Sequence, residues 1–142
     1  GAELSMATRK SWREKMGVGK QPDVTTLTRA MSGGKPGDRL LIPTPELARA
    51  YVAAIASGQT RDVARLRADL AKAAGADVTC PMTTGMFRRI VAEAALEDET
   101  GGAPAEAVTP FWRVVDPQSA LAKKLSCGPQ AIAARRLGEQ RA

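Results

Sequence analysis

The chain has 142 residues, a formal charge of +6, and 4% aromatic against 25% charged residues. That length fits one modest domain with tails, and no apolar run approaches the roughly 18 residues of a membrane span. With no histidine and only Cys80 and Cys127 as thiols, the chain has no Ser-His-Asp or Cys-His pair and no conventional zinc-ligand set.

No metal and no cofactor is therefore expected. No signal-peptide pattern is present, so the expectation is a soluble, cytoplasmic protein with reduced thiols. Charge is unevenly spread. Residues 1–43 carry 8 basic and 4 acidic side chains, residues 44–75 carry 5 and 3, residues 76–108 carry 2 and 6, and residues 109–142 carry 6 and 2. An acidic block thus sits inside an otherwise basic chain, a balance that fits nucleic-acid association.

Residues 1–39 are expected to form a basic, partly disordered arm. Gly1-Ala2-Glu3-Leu4-Ser5 lies outside the expected fold; Arg9, Lys10, Arg13 and Lys15 surround Trp12; and Gly17, Gly19 and Pro22 interrupt helix. Thr25–Met31 has room for one or two helical turns before the loop Ser32-Gly33-Gly34-Lys35-Pro36-Gly37. Such an arm is either a strap along a phosphate backbone or a solvated tail with Trp12 tucked against the domain.

The domain is expected over 40–142. Thr44 caps a first helix with Pro45 at its first position and Gly58 beyond its end, and Leu47, Ala48, Tyr51, Val52 and Ile55 share one face. A second helix runs from about Asp62 to Ala74 with Val63, Leu66 and Leu70 inward, leaving Arg61, Arg65, Arg67 and Lys72 off the apolar stripe. A third begins at Cys80-Pro81. Its first half is small, hydroxylated and basic, with Thr83, Thr84, Arg88 and Arg89 as expected DNA contacts; its second half, Glu93 to Glu99, is acidic and expected to point into solvent. Phe87, Ile90, Val91, Ala94 and Ala95 form its apolar face.

Thr100–Val108 reads as a loop. Phe111–Val115 is expected to be a strand, Asp116–Ser119 a turn and Ala120–Leu125 a return strand, making a hairpin beside the helices. Gly128-Pro129 starts a last helix with Ile132, Ala133 and Leu137 inward and Arg135, Arg136 and Arg141 outward. The sum is a mainly α fold with a small β-hairpin, arranged as a winged helix-turn-helix.

Thr109-Pro110-Phe111-Trp112-Arg113-Val114-Val115 resembles the Pro-Cys-His-Arg-Val segment of the alkylguanine-DNA alkyltransferases, the methylated-DNA-protein-cysteine methyltransferase family. It is closer to the alkyltransferase-like members, in which tryptophan replaces the reactive cysteine. The likeness runs from about Leu41 to Gln140. It includes Gly75-Ala76-Asp77-Val78-Thr79-Cys80-Pro81-Met82-Thr83-Thr84-Gly85, which resembles a bacterial subgroup. The resemblance implies a winged helix-turn-helix of the alkyltransferase DNA-binding type. In it, Phe111 falls at the reactive cysteine and Trp112 at the activating histidine. Val63 falls near the family's tyrosine and Gly85 near the arginine that fills the gap left by a flipped base. The family's asparagine has no counterpart.

Alkyl transfer needs a thiolate beside its base, so the resemblance implies recognition without chemistry. The expected ligand is double-stranded DNA with an alkylated or altered base. Phe111 and Trp112 are the expected base pocket, with Arg113 beside it, although alternation along a strand lets only one of the two aromatics face it; that role falls to Trp112. A repair-protein partner, a monomeric state and a nucleoid-associated location belong to the same reading. Two alternatives are a winged-helix transcriptional regulator or nucleoid protein with no base pocket, and an alkyltransferase using a relocated thiol, Cys80, at the start of the third helix.

Overall fold

A computed structural model describes residues 10–142; the first nine residues of the expected arm lie outside it. The chain is mainly helical with one three-stranded sheet. In order it forms α1 (Trp12–Lys15), β1 (Asp23–Thr26), β2 (Arg39–Ile42), α2 (Pro45–Ala53), α3 (Val63–Ala73), β3 (Val78–Thr79) and α4 (Pro81–Thr100). Two 3-10 turns (Ala105–Ala107 and Phe111–Arg113), α5 (Ala120–Lys124) and α6 (Gly128–Arg141) follow. No described helix is long and apolar enough to cross a membrane.

The helix starts follow their punctuation. Thr44 Oγ1 accepts from Leu47 N at 3.1 Å, with Pro45 in the first turn, and Asp62 Oδ1 accepts from Arg65 N at 2.7 Å. Each side chain thereby satisfies a backbone donor that the first helical turn leaves open. Leu66 and Leu70 face the main core, where they meet Leu41, Val52, Ile55, Ala92, Phe111, Val115 and Ile132. Tyr51 ties α2 to α3 through Asp69, its hydroxyl donating at 2.5 Å while Arg65 holds the same carboxylate at 2.9 Å. Burial, reinforced by that carboxylate, pushes the Tyr51 phenol up to about 12.

The hairpin lies elsewhere than expected. β1 pairs antiparallel with β2, Asp23 opposite Ile42 and Thr26 opposite Arg39, and β3 joins β2 in parallel with Leu40 opposite Val78. Thr25 and Thr26 are strand residues and not the start of a helical turn; the β-branched run Val24-Thr25-Thr26 fits a pleated edge. Phe111–Val115 and Ala120–Leu125 contain no strand, so the expected wing is absent there. The second stretch is helical because Ser119 caps it, accepting from Ala122 N at 3.2 Å, and Ala-Leu-Ala-Lys-Lys are good helix formers.

From residue 10 onward the expected arm is built into the body. Glu97 of α4 accepts from the Trp12 and Arg13 backbone N–H groups at 3.0 and 3.1 Å, and Arg13 pairs with Asp98 at 2.5 Å. Met16 is buried against Ala48, Val91 and Ala94, with Trp12, Phe87 and Ile90 beside them. The acidic half of α4 therefore points into the fold, against expectation. Its carboxylates meet donors from α1, Ser126 and Arg135. In α6, Ile132 is buried as expected, but Ala133 and Leu137 are exposed, and Arg135 and Arg136 are half-buried.

Within the β1–β2 connection, Met31 and Gly34 pair around Ser32-Gly33, whose φ angles are 58° and 87°. Two consecutive left-handed residues are the signature of the hairpin turn that favours Asn-Gly, and serine bears the strain of its Cβ there. Ser32→Asn is expected to raise the stability of the folded chain by about 0.5–1 kcal/mol. Urea unfolding checks this through a higher midpoint at unchanged slope.

Candidate nucleic-acid interface

Pro110 has no N–H to give, and the backbone closes a tight turn behind it. Arg113 N donates to Pro110 O at 3.1 Å and Val114 N to Phe111 O at 3.0 Å. With three residues per turn, Phe111 and Val114 stack on one side while Trp112 and Val115 share the next. This explains how four apolar neighbours are all buried in a segment that a strand would have split between two faces. Phe111 is 2% exposed and belongs to the core, its ring edge-on to Trp112 with centroids 5.4 Å apart. It is no pocket wall.

Trp112 is 8% exposed. The residue lines an open cleft of about 270 Å3 with Arg49, Thr109, Pro110 and Arg113. The indole N–H is turned inward to Glu139, and the Arg135 guanidinium sits 4.7 Å from the ring centroid. Of the two expected pocket residues, Trp112 alone reaches a cleft.

Arg113 is an interior strut. Glu139 of α6 accepts from Arg113 Nε through both oxygens at 3.0 Å, from its Nη2 at 2.9 Å, from Ser57 Oγ at 3.0 Å and from Gly58 N at 3.0 Å. Arg113 Nη1 donates to Ile55 O at 2.6 Å, and Arg113 O accepts from Arg61 N at 2.8 Å. The side chains of Arg113 and Glu139 are 16% and 14% exposed, so little of either remains for a ligand. Burial alone would raise the Glu139 carboxyl, but the donors from Arg113, Trp112, Gly58 and Ser57 outweigh it and hold the group at about 2. Glu139 was not singled out from the sequence: one glutamate in a polar helix carries no periodic or motif signal.

The α4 residues part company. Thr84 is buried and donates to Cys80 O at 2.6 Å, and Thr83, half-buried, donates to the same carbonyl at 3.4 Å. Arg88 turns toward the 3-10 segment and donates to Val114 O at 3.0 Å. Arg89 is exposed on another side, its guanidinium 5.4 Å from the Trp12 ring centroid, with Lys15 Nζ 4.0 Å from the same ring. The five expected DNA contacts therefore do not form one surface. Arg89 and Thr83 remain outward, Arg88 enters a cleft, and Thr84 and Arg113 serve the interior.

Cys80 is half-buried at the start of α4. Burial would raise its thiol, but hydrogen bonds from Thr83 and Met82 together with the Arg67 charge bring it below its ordinary value. No described carboxylate hydrogen-bonds its sulfur, and Arg67 itself is committed to Thr79 O and Ser32 O. The Cys127 thiol is pushed up by burial.

Glu139→Ala leaves the Arg113 guanidinium buried without its partner and is expected to cost about 3–5 kcal/mol. In the parent protein the Glu139 carboxyl lies below its ordinary value of 4.5. Its contribution is therefore fully present above that value and is lost as pH falls toward about 2. Urea unfolding between pH 7 and pH 2.5 checks this: Glu139→Ala should show a shallower loss of stability below pH 4.5 than the parent.

Compared with known protein families, characterised proteins and solved structures, the chain matches none.

Proposed function

We propose that this chain is a non-enzymatic, double-stranded DNA-binding protein that recognises a duplex carrying an alkylated or otherwise altered base. The observation that carries the nucleic-acid reading is charge segregation. The acidic half of α4 is engaged internally: Glu93 with Ser126, Glu97 with α1, Asp98 with Arg13 and Glu99 with Arg135. Exposed Lys20, Lys72, Arg89, Lys123 and Lys124 have no described carboxylate within ion-pair distance. These cations, together with the net charge of +6, make a polyanion the ligand class that the surface attracts.

The altered-base part rests on Trp112, which lines the open cleft and whose indole would supply the stacking surface for an unpaired base once the Arg135 guanidinium over the ring gives way. Absence of alkyl transfer rests on Phe111 and Trp112, which bring neither thiol nor base to the turn. A second reading, a duplex binder with no base pocket such as a regulator or nucleoid protein, is favoured by the slight exposure of Trp112 and by the interior position of Phe111.

Duplex affinity is expected to fall with salt along a log–log slope of roughly −3 to −4.5, as for about three to five phosphates neutralised. Arg89→Ala should weaken modified and plain duplexes alike and make the slope shallower by roughly one phosphate contact. Trp112→Ala, on protein verified as folded, is expected to weaken the alkylated duplex alone by about 1–3 kcal/mol of stacking. An unchanged ratio of affinities for modified and plain duplex selects the pocketless reading. Intact-protein mass after incubation with an alkylguanine oligonucleotide should show no adduct; an alkylated Cys80 would make the protein an alkyltransferase with a relocated thiol.

A further inference from the structure

A second cleft, of about 310 Å3, opens between the start of α3, the Val114–Ser119 segment and α6. Three arginines from distant parts of the chain line it: Arg61 from the loop before α3, Arg88 from α4 and Arg136 from α6. Arg88 Nη1 is fixed on Val114 O at 3.0 Å and Arg136 Nε on Trp112 O at 2.7 Å. The two guanidiniums are thus anchored two residues apart on one backbone segment, each by a single donor of the five it carries. Arg61 is held at the mouth through Thr60 O and Gln59 Oε1.

Among the described residues neither Arg88 nor Arg136 forms an ion pair. Arg88 Nε is buried and has no hydrogen-bond partner. Burial lowers both side chains from the ordinary arginine value, opposed at Arg136 by the nearby charge of Asp116. Two carboxylates share the cleft, Asp62 and Asp116. Each has an oxygen committed to a backbone donor, Asp62 to Arg65 N at 2.7 Å and Asp116 to Gln118 N at 2.8 Å. Ser119 Oγ is also committed, donating to Asp116 O at 2.6 Å and accepting from Ala122 N at 3.2 Å.

A partly desolvated pair of guanidiniums with open donors and no direct ion pair is unfavourable, and an oxyanion bonded to both offsets that cost, against the repulsion of Asp62 and Asp116 at the cleft. A planar carboxylate satisfies one guanidinium fork, whereas a tetrahedral oxyanion offers oxygens in several directions at once. We propose that this cleft is a binding site for a single phosphoryl group, seated between Arg88 and Arg136 with Arg61 at its mouth. The site stands on its own geometry and holds whether or not the chain binds a duplex. The phosphoryl group comes either from an internal phosphodiester of DNA or from a phosphomonoester, terminal or free.

The test titrates the full chain with inorganic phosphate at constant ionic strength, sodium chloride making up the balance, and follows backbone amide resonances. Saturable shifts are expected at Asp62, Val63, Val114–Asp116, Gln118 and Ser119. Arg136→Gln, which removes no ion pair, is expected to weaken phosphate by about tenfold or more, and Arg88→Gln likewise where it folds. Shifts no larger than chloride gives, or shifts undiminished in folded Arg136→Gln, overturn the assignment. Competition then identifies the source in the cases where the site stands. Displacement of phosphate by blunt duplexes with and without a 5′-phosphate alike points to the internal phosphodiester, and displacement by the 5′-phosphorylated duplex alone points to the terminal monoester. Displacement by neither leaves the free monoester as ligand and counts against the duplex reading instead.

Discussion

One carboxylate ties the last helix to the middle of the chain. Glu139, on the last helix, gathers the indole of Trp112, the guanidinium of Arg113, the hydroxyl of Ser57 and the amide of Gly58. Through Arg113 the same knot reaches the end of α2 at Ile55 and the loop before α3 at Arg61. A buried guanidinium is tolerated only where its charge and donors are met, and here one acid and one carbonyl meet them. The 3-10 turn that carries Phe111 and Trp112 is consequently fixed from both sides, and with it the backbone carbonyls on which Arg88 and Arg136 rest.

The second organising feature is the placement of the acids. Three carboxylates in the last turn of α4, Glu97, Asp98 and Glu99, oppose the helix dipole, and Glu93 is buried earlier in the helix, so the helix gains nothing from them locally. Their compensation is tertiary. Glu97 serves as an external cap for α1, Asp98 and Glu99 each take an arginine from another element, and Glu93 takes both donors of Ser126. An arrangement that looked in the sequence like a solvated acidic tip is instead the seam joining three elements.

Much of the helical frame was legible because it is written in local punctuation. Thr44-Pro45, Asp62, Cys80-Pro81 and Gly128-Pro129 mark helix starts through capping and proline chemistry, which needs no tertiary information. The hairpin was not legible. Val114-Val115 and Val24-Thr25-Thr26 carry similar β-branched signals, and only the second has a partner strand, supplied by Arg39–Ile42. The site was legible in part. Trp112 and Arg88 do reach clefts. Arg113 lines the same cleft as Trp112, but its guanidinium is spent on Glu139, an acid 26 residues away and beyond any pattern of spacing.

The docking of α1 onto α4 changes what the N-terminal segment is. Trp12 and Met16 lie over the partly buried Phe87 and Ile90, and the α1 backbone fills both oxygens of Glu97. Trimming the chain at Val18 would uncover that apolar strip and strand two acids, Glu97 and Asp98, beside it. What resembles a removable basic tail is a lid over hydrophobic surface, and a shortened chain would meet its neighbours through that surface.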